Sequence, residues 1–324
     1  MSTAVAMVHA EALPPSLVGR LPQSFRSYAR YVPEVALCRY ALNHIQTLVS
    51  SHESSVVVVR ERGVMLGLAC WRKLRWDTEM FGFPAARLDL LLCDGDYHQG
   101  LATATELIEG VIKDCKASRI IHLVARIDSD ELQSLHALEQ QGFETIDGVL
   151  TFSLRLSQTK ITPARTDLVI RLFQQSDLEE VLSIARSAYV FDRFHADRTL
   201  TPEIADKVNE TWVRNSCLGD SDAVIVTCNG RKVVAYATCN IHRDTSSLLG
   251  TTFASIGMVA TRSDFRGQGA ATCATAGTLD WCQRNGVDVV EVGTQLRNLA
   301  ASRLYESNGF RLTATHLTLR KSIN

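Results

Sequence analysis

The apolar positions of this chain fall into short runs broken by turn residues, and the same order of runs occurs twice. Val56-Val57-Val58-Val59 leads into a turn at Arg62-Gly63, and Ala223-Val224-Ile225-Val226 leads into a turn at Asn229-Gly230. Each is a strand followed by a hairpin signal. Later in each half comes a helix-like stretch that ends in Gly-Phe: Leu138-Glu139-Gln140-Gln141-Gly142-Phe143 and Tyr305-Glu306-Ser307-Asn308-Gly309-Phe310. The hairpin glycines are 167 residues apart, and so are the glycines of the two Gly-Phe pairs. Two independent landmarks at one offset predict a duplicated domain.

Between the halves, residues 156–167 are polar and contain Thr162-Pro163, which predicts a linker. The domain boundary is therefore expected at 160/161, giving domains 1–160 and 161–324. After the linker, Leu168-Val169-Ile170-Arg171-Leu172 reads as a strand. Ser176 and Glu179 read as a capping box ahead of an apolar-periodic helix over 178–189. The apolar run Ile256-Gly257-Met258-Val259-Ala260 precedes Arg266-Gly267-Gln268-Gly269-Ala270-Ala271, and a helix is predicted over 271–284, ending at Asn285-Gly286. The expected fold class is mixed α/β, with each half a mostly antiparallel sheet flanked by helices.

The glycine turn at 266–271 carries the first chemistry. A helix start leaves backbone N–H groups without partners, and the helix dipole favours an anion there. Glycines at 267 and 269 let that anion approach closely. Capture of a pyrophosphate is the implied chemistry. The dinucleotide fingerprint G-x-G-x-x-G is not matched, because Ala270-Ala271-Thr272 follows Gly269.

This turn and the later Asn298, Ala301, Leu304, Tyr305, Gly309 and Phe310 together resemble the acetyl-CoA site of the GNAT superfamily of N-acetyltransferases. Arg266, Gly269 and Ala271 fit its Q/R-x-x-G-x-G/A loop, and the later residues fit its N-x-x-A-x-x-L-Y-x-x-x-G-F signature. The resemblance implies two tandem GNAT-like domains with acetyl-CoA as cosubstrate and no metal. The backbone of Met258, Val259 and Ala260 would hold the pantetheine arm, and one N–H there would polarise the thioester carbonyl. Arg266, Gly267, Gln268, Gly269, Ala270 and Ala271 would hold the pyrophosphate, with Asn298 and Arg303 as further coenzyme contacts. Tyr305 would protonate the departing thiolate. A free phenol titrates near pH ~10, above a thiol at ~8.5, so it keeps its proton until the thiolate forms.

The first half has Leu138 where the second has Tyr305. Its stretch at Tyr97-His98-Gln99-Gly100 lacks the arginine and the first glycine of the loop. It is read as a degenerate domain that supplies substrate contacts or structure only.

The proton acceptor for the amine is less sharply marked. Candidates are Asp147, which follows Gly142-Phe143, together with Asp192, His195, Asp77 and Glu79. Two segments combine aromatic and charged residues: Arg75, Trp76, Asp77 and Phe81 in the first half, and Asp192, Arg193, Phe194 and His195 in the second. With Trp212-Val213-Arg214-Asn215 they resemble the TDP-fucosamine acetyltransferase group of the same superfamily. That group places a carboxylate near the reacting amine at the position of Asp147. The implied acceptor is a small amine, best matched by a nucleotide-linked amino sugar, with those eight residues as its contacts and Arg87 and Arg198 as further cations. Another metabolite, antibiotic or lysine amine, and a non-catalytic acyl-CoA sensor, are the alternative readings.

Bulk properties narrow the field further. A net charge of −1 over 324 residues gives no field that would draw nucleic acid or an anionic membrane. No apolar stretch reaches the length of a membrane span. Met1 to Ala10 lacks the basic flank of a secretory signal, and the nine cysteines form no C-x-x-C pair. A cytoplasmic monomer or homodimer with reduced thiols is expected.

Overall fold

The computed structural model describes residues 13, 15–18, 25–159, 161, 165 and 167–324. Met1–Ala10 and Thr162-Pro163 lie outside them. The chain forms two compact units, Met1–Gly148 with Thr315–Asn324, and Val149–Ala314.

The first unit contains helices α1 (Pro15–Val18), α2 (Arg26–Ala29) and α3 (Glu34–Ser50), strands β1 (Ser54–Glu61) and β2 (Val64–Lys73), and helix α4 (Arg75–Phe81). Strand β3 (Ala85–Cys93), helix α5 (Tyr97–Ala117), strand β4 (His122–Asp128), helix α6 (Leu132–Gln140) and the start of strand β5 (Glu144–Arg155) follow. In the second unit come β6 (Val169–Leu172), α7 (Leu178–Ala188), α8 (Arg193–Ala196), α9 (Pro202–Asn215), β7 (Ala223–Asn229), β8 (Lys232–Ile241) and α10 (Arg243–Leu249). It continues through β9 (Phe253–Thr261), α11 (Ala270–Arg284), β10 (Val289–Gln295), α12 (Leu299–Ser307) and the start of β11 (Arg311–Ser322).

The duplication expected from the 167-residue offset is present element by element. The order β1-β2-α4-β3-α5-β4-α6-β5 recurs as β7-β8-α10-β9-α11-β10-α12-β11. Each copy joins its first three strands antiparallel and its third and fourth parallel. The parallel pairs need a crossover helix, α5 in one unit and α11 in the other. Leu107, Ile108 and Val111 of α5 share one core with Leu123 and Ala125 of β4, and all are essentially inaccessible. Each such side chain contributes about 1.5–3 kcal/mol by leaving water.

The units do not divide at 160/161. The fourth strand β4 of the first unit pairs with His316–Ser322 of β11, the C-terminal strand of the chain. The fourth strand β10 of the second pairs with residues 149–155 of β5. The equivalent last strands of the two repeats are therefore exchanged, which moves the boundary back to Gly148/Val149 and returns Thr315–Asn324 to the first unit. A strand's alternation fits either sheet edge equally well, so the local pattern carries no record of the exchange.

The capping box also differs from expectation. It joins Gln174 and Asp177, two residues before the Ser176/Glu179 pair, and Asp177 is held by Arg171 at 2.6 and 2.8 Å. Helix α7 begins at Leu178 as the periodicity predicts.

Candidate active site

Strand β9 passes through a helical turn, Ser263–Phe265, into the glycine loop and then into α11. Gly267 and Gly269 have φ of +74° and +80°, the left-handed region where other residues are strained. Gly269 is the N-cap of the fifteen-residue helix, with no side chain capping it and no acidic residue in the first turn. Cys273 is the residue whose N–H reaches the Gly269 carbonyl, at 3.0 Å. The preceding N–H groups of Ala270, Ala271 and Thr272 therefore point out of the helix end. Arg266, Gly267 and Gln268 are exposed around them. The sequence reading missed Arg165. Its guanidinium is braced by Asp167 and reaches the Gln268 carbonyl at 3.4 Å, bringing a second cation to the loop. It lies in the polar linker, where no motif marks it.

The matching helix of the first unit is built differently. Its N-cap, Asp96, turns its carboxylate onto the N–H groups of His98 and Gln99, at 2.9 and 3.0 Å. An anion of the protein's own already occupies the end of α5.

The second feature is a divergence of strands. Parallel pairing of β9 with β10 runs from Phe253/Val289 to Ile256/Val292 and ends there, while the far edge of β10 stays paired to Gln295. Beyond Ile256, β9 keeps its pairing with β8 through a bulge: Ala237 faces Val259 but Cys239 faces Ile256, so β9 carries one extra residue. The bulge turns the alternation over. Ala254 and Ile256 pack in the cluster of Tyr305 and Phe310, whereas Met258 and Ala260 pack with Tyr236, Val181 and Ile184. The Met258 N–H is donated to Thr238 Oγ1 at 2.9 Å, and the Arg262 N–H to the Val234 carbonyl at 2.9 Å, both on the β8 side. By alternation, the N–H and C=O of Val259 face the edge from which β10 has diverged. Of the three expected backbone contacts, Val259 thus has polar groups on the open edge; the Met258 N–H is already bonded.

In the first unit the β3/β4 pairing ends at the corresponding Leu88/Ala125. At the position matching Gly257 it carries Asp89, whose carboxylate is bonded by Arg72 at 2.7 Å and Arg87 at 2.5 Å.

Tyr305 lies in the last turn of α12. Its ring is buried against Phe152 and Phe310, with centroids 6.0 and 5.9 Å away. Its hydroxyl has no protein hydrogen bond among the described residues. Burial alone pushes the phenol well above the usual tyrosine range, so it holds its proton at neutral pH. Asn298 caps this helix by accepting the Ala301 N–H at 3.2 Å, and Arg303 is exposed on it.

The other expected site residues are distributed as follows. Asp147 is buried on the first-unit part of β5, and so belongs to a different compact unit from Tyr305. On α4, Arg75 is exposed and paired with Glu53, Trp76 is half-buried, and Asp77 and Phe81 are buried, with Phe81 against Phe83 and His122. Asp192 caps α8, accepting from the N–H groups of Phe194 and His195, and its second oxygen meets His195 Nδ1 at 2.8 Å and Asn209 at 2.9 Å. His195 Nε2 lies 3.2 Å from Asp206. The ring of Phe194 is buried under the Arg193 guanidinium. Asp192 and His195 thus hold the α7–α9 connection in shape.

Among the described residues no helix is long and apolar enough to cross a membrane. Over 190 residues the chain is 25% identical to the spore coat polysaccharide biosynthesis protein SpsD of Bacillus subtilis (strain 168), covering 58% of this chain and 62% of that protein. Over 193 residues it is 25% identical to the dTDP-fucosamine acetyltransferase of Escherichia coli O6:H1, covering 59% of this chain and 77% of that protein. The fold is similar to the crystal structure of a GCN5-related N-acetyltransferase from Sphaerobacter thermophilus, with a TM-score of 0.64 at 16% identity, over 98% of this chain and 94% of that one. Residues 178–310 match the family model described as Acetyltransferase (GNAT) family. The chain therefore carries, across residues 178–310, a domain of the GNAT acetyltransferase family.

Proposed function

We propose that this protein is an acetyl-CoA-dependent N-acetyltransferase for a small-molecule amine, with an amino sugar, nucleotide-linked, as the best-matched acceptor. The observation that carries the reading is the combination in the second unit of an uncapped helix start, an open strand edge at Val259 and a neutral buried phenol at Tyr305. The amides of residues 267–271, with Arg266 and Arg165 beside them, suit a pyrophosphate. The Val259 edge suits the amide groups of pantetheine, and its N–H suits a thioester oxygen that gains charge during attack. Arg266 to Ala271, Asn298 and Arg303 remain the coenzyme contacts in this reading.

The reaction is direct attack in a ternary complex. The amine nitrogen bonds to the thioester carbon, the carbon–sulfur bond breaks, and Tyr305 gives its proton to the leaving sulfur. Asp147 ranks first as acceptor of the amine proton, and Arg75, Trp76, Asp77, Phe81, Asp192, Arg193, Phe194 and His195 are the proposed acceptor contacts. The amino-sugar assignment draws on the names of the two relatives. The first unit, with Asp96 and Asp89 filling its corresponding positions, serves the acceptor or the fold and binds no coenzyme.

The test is release of free coenzyme A from acetyl-CoA across dTDP- and UDP-amino sugars, free amino sugars, simple amines and a lysine peptide. Turnover confined to amino sugars supports the assignment. Turnover only with other amines overturns the acceptor, and binding of acetyl-CoA without any turnover overturns the enzyme reading in favour of an acyl-CoA sensor.

A further inference from the structure

Beside the bulged strand β9 lies a pair of phenols that the mechanism above does not use. Tyr189 ends α7 and Tyr236 lies on β8, and their hydroxyls are 2.9 Å apart. Tyr236 is fully buried, in the cluster that also holds Met258 and Ala260 of the bulged strand. A phenol has one proton and two lone pairs. Either hydroxyl can be the donor of this bond; donation by Tyr236, which is fully buried and has Tyr189 as its partner among the described residues, keeps its proton from being buried without an acceptor. That leaves Tyr189 with its own proton and one lone pair, on a side chain that is only half-buried.

Two observations direct those groups to the transfer site. The Tyr189 side chain packs against the cluster that holds Met258 and Ala260, the residues flanking Val259 on the open edge. The Arg297 guanidinium, beside the cap of the helix that carries Tyr305, reaches the Phe191 carbonyl two residues after Tyr189, at 3.5 Å. The chain opens to solvent at that point, with Val190 56% and Phe191 39% exposed.

We infer that Tyr189 is an amine-binding residue of the acetyl-transfer site and that Tyr236 is the positioning residue that fixes its hydroxyl. The free lone pair of Tyr189 accepts an N–H of the neutral acceptor amine and so aims the nitrogen lone pair at the thioester. This rests on the N-acetyltransferase reading.

The test uses the full chain carrying Tyr189→Phe, Tyr236→Phe or both, with acetyl-CoA and whichever amine of the panel gives the highest turnover. Tyr189→Phe is expected to raise KM for the amine by about tenfold, the loss of one hydrogen bond. The Kd for acetyl-CoA should stay unchanged, while the melting temperature should fall, because the buried Tyr236 hydroxyl loses its acceptor. Tyr236→Phe should give a smaller rise, and the double variant should be no worse than Tyr189→Phe. An unchanged amine KM in Tyr189→Phe, additive effects in the double variant, or an equal loss of acetyl-CoA affinity each overturns this inference alone. Binding of acetyl-CoA without turnover of any amine by the unaltered protein overturns it together with the transferase reading.

Discussion

The hydroxyl of Thr238 accepts the backbone N–H of Met258 at 2.9 Å and so holds the bulge that opens the edge of β9. Thr238 is 1% exposed, and a Cβ built on the neighbouring Gly257 would lie 2.9 Å from the same oxygen. Thr238→Val keeps the shape but leaves the Met258 N–H buried without a partner. The expected cost is about 1–3 kcal/mol of stability, measured by urea denaturation. The acetyl-CoA KM should rise as the Val259 edge loses its alignment. Unchanged stability and KM would show that the bulge is held by other contacts.

Tyr305 presents the opposite balance. Its ring packs against Phe152 and Phe310, and its hydroxyl has no protein hydrogen bond among the described residues. Tyr305→Phe should therefore keep the fold within about 1 kcal/mol, since no hydrogen bond is lost. Turnover should fall by about 100-fold or more, the range for loss of a general acid, with acetyl-CoA affinity retained. Equal loss of turnover and affinity would count against the acid role.

Gly269 and Asp96 occupy matching helix starts, one open and one filled by its own carboxylate. Gly269→Asp should place an anion where the pyrophosphate is expected and also strain a residue at φ +80°. Acetyl-CoA binding, followed by calorimetry, should be lost while far-ultraviolet circular dichroism stays native. Asp96→Ala should cost about 1 kcal/mol of stability, as for a lost N-cap, and leave acetyl-CoA affinity as it was.

The buried phenols set an alkaline limit. Burial raises Tyr189, Tyr236 and Tyr305 above the usual tyrosine range. In the unfolded chain each titrates near pH ~10, so above that pH the unfolded state loses protons that the folded state keeps. The stability these groups contribute is full below pH ~10 and is lost as pH rises toward the folded values. Urea midpoints from pH 8 to 11 should be flat at first and then fall, with a shallower fall in Tyr236→Phe. For the same reason Tyr305 should impose no alkaline limb on kcat below pH ~10.

Much of this architecture is written locally. The hairpin glycines at 63 and 230, the apolar strands leading into them and the Gly-Phe pairs at 142 and 309 specify the repeat, because turn geometry and side-chain alternation depend on neighbours in sequence. The glycine loop at 266–271 and the helix carrying Tyr305 were legible for the same reason: a left-handed turn needs glycine, and a helix start exposes its own amides. Only the tertiary structure decided which sheet β5 and β11 join, since either edge accepts the same alternation. It also decided where β9 and β10 part, and that the bulge gives the Met258 N–H to Thr238 while leaving Val259 on the open edge. Asp192 reads as a candidate base by residue type, yet its oxygens are taken by the cap of α8, His195 and Asn209. Arg165 beside the glycine loop and the bond between Tyr189 and Tyr236 have no local signature at all. Each joins residues far apart in the chain, and such contacts exist only once packing has brought their elements together.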